Sequence, residues 1–362
     1  MSIDHAPTAP HPGTGPAGPP LPRPRGPLSD AVVTALRREP GSIVPAPPVD
    51  GDPYGEDLSL ALHTCYELHY RGFAGVDPAW EWNPGLLHLR AAMEAHFLGA
   101  LRADTAPTAE VDAALDELLV EPVPGNGVSH HLRDEGEWWQ VREYLVHRSI
   151  YHLKEADPHA WVIPRLQGRA KAALVAVEFD EFGGGRAERV HATLFADLLR
   201  AAGLDDGYLR YQDDVPAPII TIVAMMSLFG LHRRLRGALV GHFAAAEITT
   251  APSAHRITQA LRGMGGGPEL TLFFTEHVEA DAVHEQVLRR DVVGDLLRRE
   301  PELAADVVLG IRATELLEGR LARHLLGSWR AGRSSLLRPL PEHPAPDAGR
   351  AASPPGTPAH ER

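Results

Sequence analysis

Glu276-His277-Val278-Glu279-Ala280-Asp281-Ala282-Val283-His284-Glu285-Gln286 is the stretch on which the reading of this chain turns. His277, Asp281 and His284 stand at offsets of 0, 4 and 7. At roughly 100° per residue these fall within about 60° of one another, so one face of one helix carries two imidazoles and a carboxylate. A strand would put the two histidines on opposite faces, so the spacing has meaning only on a helix. Two neutral nitrogens and an anionic oxygen on one face suit iron, manganese or zinc. The same segment holds Glu276, Glu279 and Glu285 and equally suits a charged, solvated face. The rest of the chain has to decide between the two.

The 362 residues, 44% hydrophobic and 23% charged, are enough for one large core or two modest ones. A net charge of -13 and the absence of any Lys/Arg-rich helix argue against nucleic acid as a partner. One cysteine, Cys65, excludes an internal disulfide and a cysteine-only metal site and fits a reducing compartment, so a cytoplasmic location is expected. The N-terminus has neither the basic region nor the apolar run of a signal peptide. With no 18-residue apolar stretch, no membrane association is expected.

Proline clusters at both ends predict a mostly disordered leader over 1–49, with a short helix from Ser29 to about Arg38, and a disordered tail over 339–362. Between them, 50–338 reads as a single all-α helical bundle. Helices are predicted over Leu58–Gly72, Leu87–Leu101, Thr108–Leu119 and Glu137–Lys154, then from between Ala160 and Pro164 to Glu181, and over Ala187–Ala202. Ile219–Leu239, Phe243–Met264, Pro268–Arg289 and about 299–328 complete the set, and 121–135 reads as a loop. Gly183-Gly184-Gly185 stops one helix and lets the next fold back closely, so that Glu181 and His191 can approach a common point. A phosphate-binding loop there is excluded by the lack of a preceding strand and a following Lys-Ser or Lys-Thr.

Other helices offer carboxylates that could meet the 277–284 face: Glu155 at the end of the 137–154 helix, Glu178, Asp180 and Glu181 before the glycines, and Glu188 three residues before His191. Glu247 is the sole acid in Gly241-His242-Phe243-Ala244-Ala245-Ala246-Glu247-Ile248. It stands either at a wet edge or buried beside a cation, since a buried unpaired carboxylate is costly.

The phrases LKEADPHAW (153–161), EFGGGRAERVHATLF (181–195), AAAEITT (244–250) and EHVEADAVH (276–284) occur in an order that resembles the haem-oxygenase-like di-iron oxidases and oxygenases, the iron-containing redox enzyme family. The resemblance covers roughly 137–330. It implies a haem-oxygenase-like bundle without haem, and a metal site of Glu155, Glu181, His191, Glu247, His277, Asp281 and His284, with Glu188 as a reserve carboxylate. It further implies two iron ions as cofactor, O2 as co-substrate, an external electron donor, and a small amine-, amino-acid- or fatty-acid-like substrate. The reactions it implies are N-oxygenation, desaturation or carbon–carbon cleavage. A homodimer is the default expectation.

A substrate pocket is expected between the 58–72, 137–157 and 219–239 helices. Tyr151, His152, Trp161, His242 and Phe243 are candidate linings, and Arg169 or Lys171 candidate partners for a substrate carboxylate. Competing assignments are non-catalytic iron handling with the same ligands, haem binding through His63 or His69, and a metal-free enzyme of the related scaffold.

Overall fold

The computed structural model describes residues 18–346, apart from the side chains of 279–283. Among the described residues the secondary structure is helical throughout: α1 (Pro27–Leu36), α2 (Glu56–Glu67), α3 (Pro84–Thr105), α4 (Val111–Glu117), α5 (Val128–Asp134), α6 (Trp138–His152), α7 (Asp157–Ala160), α8 (Gly168–Glu181), α9 (His191–Ala201), α10 (Ala217–Leu231), α11 (Arg236–Gly263), α12 (Pro268–Gln286), α13 (Gly294–Arg299) and α14 (Ala304–Arg330). The expected all-α bundle is what these elements build. No single described helix is long and apolar enough to cross a membrane.

The centre is α10, a helix apolar on every side and buried along almost its whole length. Such a helix has no wet face and must be surrounded. It is enclosed by α2, α14, α11, α6 and α7. Around this axis α11 lies along both α14 and α12, α12 packs on α9, and α8 packs on a π-helical stretch, Val287–Val293, that continues α12.

Several boundaries differ from those the sequence suggested, each for a physical reason. The break in the apolar 215–246 region falls at His232, in extended conformation, and not near residue 240; α10 and the chain after it turn through 108° there. The 121–135 segment is not all loop, since Val128–Asp134 forms α5, which packs on α11 and buries Leu132. At the other end, α1 is part of the core and no mere extension of a leader. Leu28, Val32, Ala35 and Leu36 are buried, and α1 is tied to α2 through Asp57, whose carboxylate accepts from the Leu28 and Ser29 amides at 2.9 and 2.7 Å. The folded body therefore begins well before residue 50.

Two close approaches place the site-bearing helices. α11 and α14 cross where glycines face backbone: a Cβ on Gly241 would lie 2.0 Å from the Val307 carbonyl oxygen, and one on Gly310 would lie 2.0 Å from that of Ala238. In the glycine run after α8, Gly183 has φ 75°, and a Cβ there would meet the Val190 nitrogen at 2.6 Å. The turn that brings α9 back against the end of α8 is thus open only to glycine.

Candidate metal centre

Five chain segments converge on one buried cluster. Glu155 comes from the turn after α6, Glu181 from the last residue of α8, His191 from the first of α9, Glu247 from the middle of α11, and His277 and His284 from α12. All six are buried. One oxygen or nitrogen from each of Glu155, Glu181, His191 and His277 lies within 4.8 Å of the others, and the same holds for Glu181, Glu247 and His284. Glu181 belongs to both groups. Asp281 lies in α12, but its side chain is outside the described residues.

The turn carrying Glu155 is sharp because Ala156 sits at φ 72°, an unusual conformation for a residue with a side chain. The carboxylate is held through one oxygen only. His152 Nδ1 donates to Glu155 Oε1 at 2.7 Å, and His277 Nε2 is 3.6 Å from the same atom, while Oε2 is buried without a hydrogen-bond partner. Burial by itself would raise the Glu155 pKa, but His152 and His277 hold it well below the ordinary carboxylate value. His277 has its tautomer set: Nδ1 donates to the Phe273 carbonyl at 2.8 Å, one helical turn back, which leaves Nε2 to face the cluster.

His191 Nδ1 approaches Glu181 Oε2 to 2.8 Å, yet the nitrogen has no hydrogen bond of acceptable geometry, and Glu181 Oε1 is also buried without one. Electron-rich atoms crowded together with their lone pairs unspent are what a cation site looks like when only the protein is present. His284 lies between two acids, with Nδ1 3.0 Å from Glu247 Oε2 and Nε2 3.2 Å from Asp180 Oδ2. The donor set of imidazole nitrogens and carboxylate oxygens fits a first-row transition metal such as iron.

Some candidates stand elsewhere. Glu188 is exposed on a short 3-10 turn, Ala187–Arg189, that precedes α9, so it does not share a helix face with His191 and is not part of the cluster. Arg169 is engaged at the surface by Asp291 at 2.7 Å. Among the 58–72, 137–157 and 219–239 segments, between which a substrate pocket was expected, stand a buried ion pair of Lys154 with Glu67 and Tyr70, whose hydroxyl is 3.0 Å from that of Ser227. His63 sits beside this pair, its Nδ1 3.7 Å from Glu67.

Of the aromatic candidates, Phe243 stacks on the ring of His159 with centroids 4.1 Å apart, and His242 lies 5.3 Å from that same ring. Burial and, next, the His242 ring keep His159 far below the usual histidine pKa, and burial brings His242 down to about 4; both are neutral. Two acids beside the cluster escaped the sequence-based ligand set, although both were visible as candidates at the end of α8. Asp180 touches His284, and Glu178, one turn before Glu181, is buried with neither oxygen hydrogen-bonded. Burial, then Glu181, Glu247 and Asp157, push Glu178 up to about 9.

Residues 142–319 match the model of the family described as iron-containing redox enzyme. That span runs from α6 into α14 and contains every residue of the cluster, so the site lies wholly within the part of the chain that is similar to the iron-containing redox enzymes. Over 178 residues the chain is 25% identical to the nitrosourea synthase of Streptomyces achromogenes subsp. streptozoticus. The similarity covers 49% of this chain and 38% of that protein, so the chain spans well under half the length of the curated relative it matches.

Proposed function

We propose that this protein is a non-haem di-iron oxidase or oxygenase that uses O2 to oxidise a small organic substrate, with N-oxygenation as the first reaction to consider. The observation that carries this is the position of Glu181, common to two adjacent groups of metal-competent side chains that would each hold an ion. In this arrangement Glu155, His191 and His277 would hold one iron with Glu181, and Glu247 and His284 the other; Asp281, one turn after His277, completes the expected set. The name of the similar nitrosourea synthase, whose product class contains a nitrogen–oxygen bond, supports oxidation at nitrogen over desaturation or cleavage.

The chemistry that two bound iron ions supply is the activation of dioxygen. The protein's own part is preparation. The Phe273 carbonyl fixes His277 with Nε2 forward, and His152 steadies Glu155 through one oxygen while the second is left without a hydrogen-bond partner. Burial of all six described ligands keeps bulk water from the site. Neutral imidazoles and ionised carboxylates are the protonation states that ligation requires. An external electron donor, a reducing cytoplasmic setting suited to the lone buried thiol of Cys65, and a homodimeric assembly belong to the same proposal.

Non-catalytic iron handling would use the same ligands, and the test separates the two. Anaerobic loading with Fe(II), metal analysis and stopped-flow mixing with O2 should give about two irons per chain and a transient absorbance whose formation or decay one organic substrate accelerates. Glu155→Ala, Glu247→Ala and Asp281→Ala proteins should each lose iron. Iron content unchanged in all three variants rejects the ligand set, and O2 consumption indifferent to every substrate favours iron handling.

A further inference from the structure

We propose that Glu178 is the ion-pair partner of a cationic nitrogen on the substrate, an ammonium or guanidinium group held beside the two-iron centre. This rests on the di-iron reading above, because it begins from a charge count. Two ferrous ions carry four positive charges, and Glu155, Glu181, Glu247 and Asp281 supply four negative ones, the histidines being neutral ligands. Besides the exposed Asp180, Glu178 is a further carboxyl group for which no metal charge is left, so it keeps its proton until a cation stands beside it.

Among the described residues no cation is found to act on it. The side chain is 2% exposed, and neither oxygen has a hydrogen-bond partner among the described residues. The charged groups that act on it are all acids: Glu181, Glu247 and Asp157. Asp157 has its own cations, Arg71 and Lys154. A carboxyl group buried with nothing to bond is costly, and proteins keep such groups where a ligand satisfies them. Placed one helical turn before Glu181, Glu178 reaches the same interior without belonging to either ligand group. It can therefore fix a charged nitrogen next to the metals without competing for them. A neutral fatty acyl chain would leave Glu178 unsatisfied, so the geometry favours amines and guanidines over that class.

The test uses the full-length protein loaded anaerobically with Fe(II). Binding of n-butylguanidinium and n-butylammonium is measured by calorimetry against their uncharged counterparts, n-butylurea and n-butanol, in the wild type and in Glu178→Gln and Glu178→Leu. The wild type should prefer each cation over its neutral counterpart. Both variants should lose that preference, with cation affinity falling on the order of 100-fold, as for a buried charge deprived of its partner. They should keep the wild-type iron content, and neither should have a lower urea midpoint than the wild type.

Loss of iron from Glu178→Gln would make Glu178 a metal ligand and overturn the proposal. Equal binding of cation and neutral counterpart by the iron-loaded wild type, or an undiminished preference in both variants, would also overturn it. If the wild type itself fails to retain iron, the di-iron reading falls first, and the missing iron identifies that failure.

Discussion

The ammonium of Lys154 is ion-paired with the carboxylate of Glu67, and both side chains are fully buried. Lys154 immediately precedes Glu155, and Glu67 ends α2, so the pair pins the Glu155 turn to a helix that contributes nothing else to the cluster. Tyr208 donates to the second oxygen of Glu67 at 2.5 Å, and Lys154 Nζ lies 4.2 Å from the centre of the Tyr70 ring. Removing one partner strands a buried charge, which costs about 3–5 kcal/mol, whereas replacing both with apolar groups is often close to neutral. Lys154→Met alone should therefore lose about that much stability in urea denaturation, and iron as well. The Lys154→Met, Glu67→Leu double variant should recover most of the stability. A double variant as unstable as the single one would show that the pair does more than satisfy itself.

Iron should stabilise the fold by mass action, because an ion bound only by the native state adds about 2.7 kcal/mol at a free concentration 100 times its Kd. Anaerobic Fe(II) should raise Tm, and a chelator should reverse the rise. In Glu181→Ala, where the residue common to both groups is gone, the rise should be abolished. In Glu188→Ala it should persist, since that side chain is exposed and outside the cluster. An abolished response in Glu188→Ala would put the reserve carboxylate back into the ligand set.

Two histidines remote from the cluster set a pH dependence. Burial lowers His63 to about 4, with Glu67 opposing the shift and Lys154 and Arg25 adding to it. Burial also lowers His147 to about 3, with His324 and then Arg148 contributing. In the unfolded chain both titrate near 6.5 (an ordinary histidine value), so below that pH the unfolded state binds more protons than the native one. Their stabilising contribution is complete above about pH 6.5 and is lost as the pH falls toward the native values, at up to about 1.4 kcal/mol per pH unit for each group. His147→Gln should be destabilised at pH 7 but lose less stability than the wild type between pH 7 and pH 5, measured by urea midpoints. Parallel losses in the two proteins would rule out His147 as a contributor.

Much of this was legible because helices announce themselves locally. The 3.6-residue apolar period, the prolines and the Gly183–Gly185 stop fix most elements, and the His277–Asp281–His284 spacing marks the face of α12 that supplies His277 and His284. The glycine run brings Glu181 and His191 together, as its composition suggested. The break at His232 was hidden because α10 and the start of α11 are both apolar on every side, and a pattern without period carries no boundary. The burial of Glu178 and Lys154 was hidden for another reason. In sequence a buried charge looks like a surface one, and only the partners, Glu67 from 87 residues away or the acids around Glu178, reveal the difference.

The α11–α14 crossing gives a final prediction, in which two glycine substitutions of the same kind have opposite signs. Gly310 faces the Ala238 carbonyl oxygen, and the added methyl of Gly310→Ala would stand 2.0 Å from it and 2.7 Å from the His242 nitrogen. Neither contact is to a flexible side-chain end, so α14 must move away from α11. Overpacking of this sort costs about 1–3 kcal/mol, against a gain of about 1 kcal/mol from replacing glycine within a helix. Gly99, exposed in the interior of α3 with no atom within 4 Å of a new methyl, gains the helical term alone. Gly99→Ala should raise the urea midpoint, and Gly310→Ala should lower it. Because α11 also carries His242, bonded through Nδ1 to Thr314 of α14, and Glu247, bonded to His284 of α12, separating the two helices should loosen the Glu247 side of the cluster too. Iron retention in Gly310→Ala should therefore fall along with stability, while Gly99→Ala retains its full complement. A Gly310→Ala protein as stable and as iron-replete as the wild type would mean that the crossing relaxes without cost and does not set the position of Glu247.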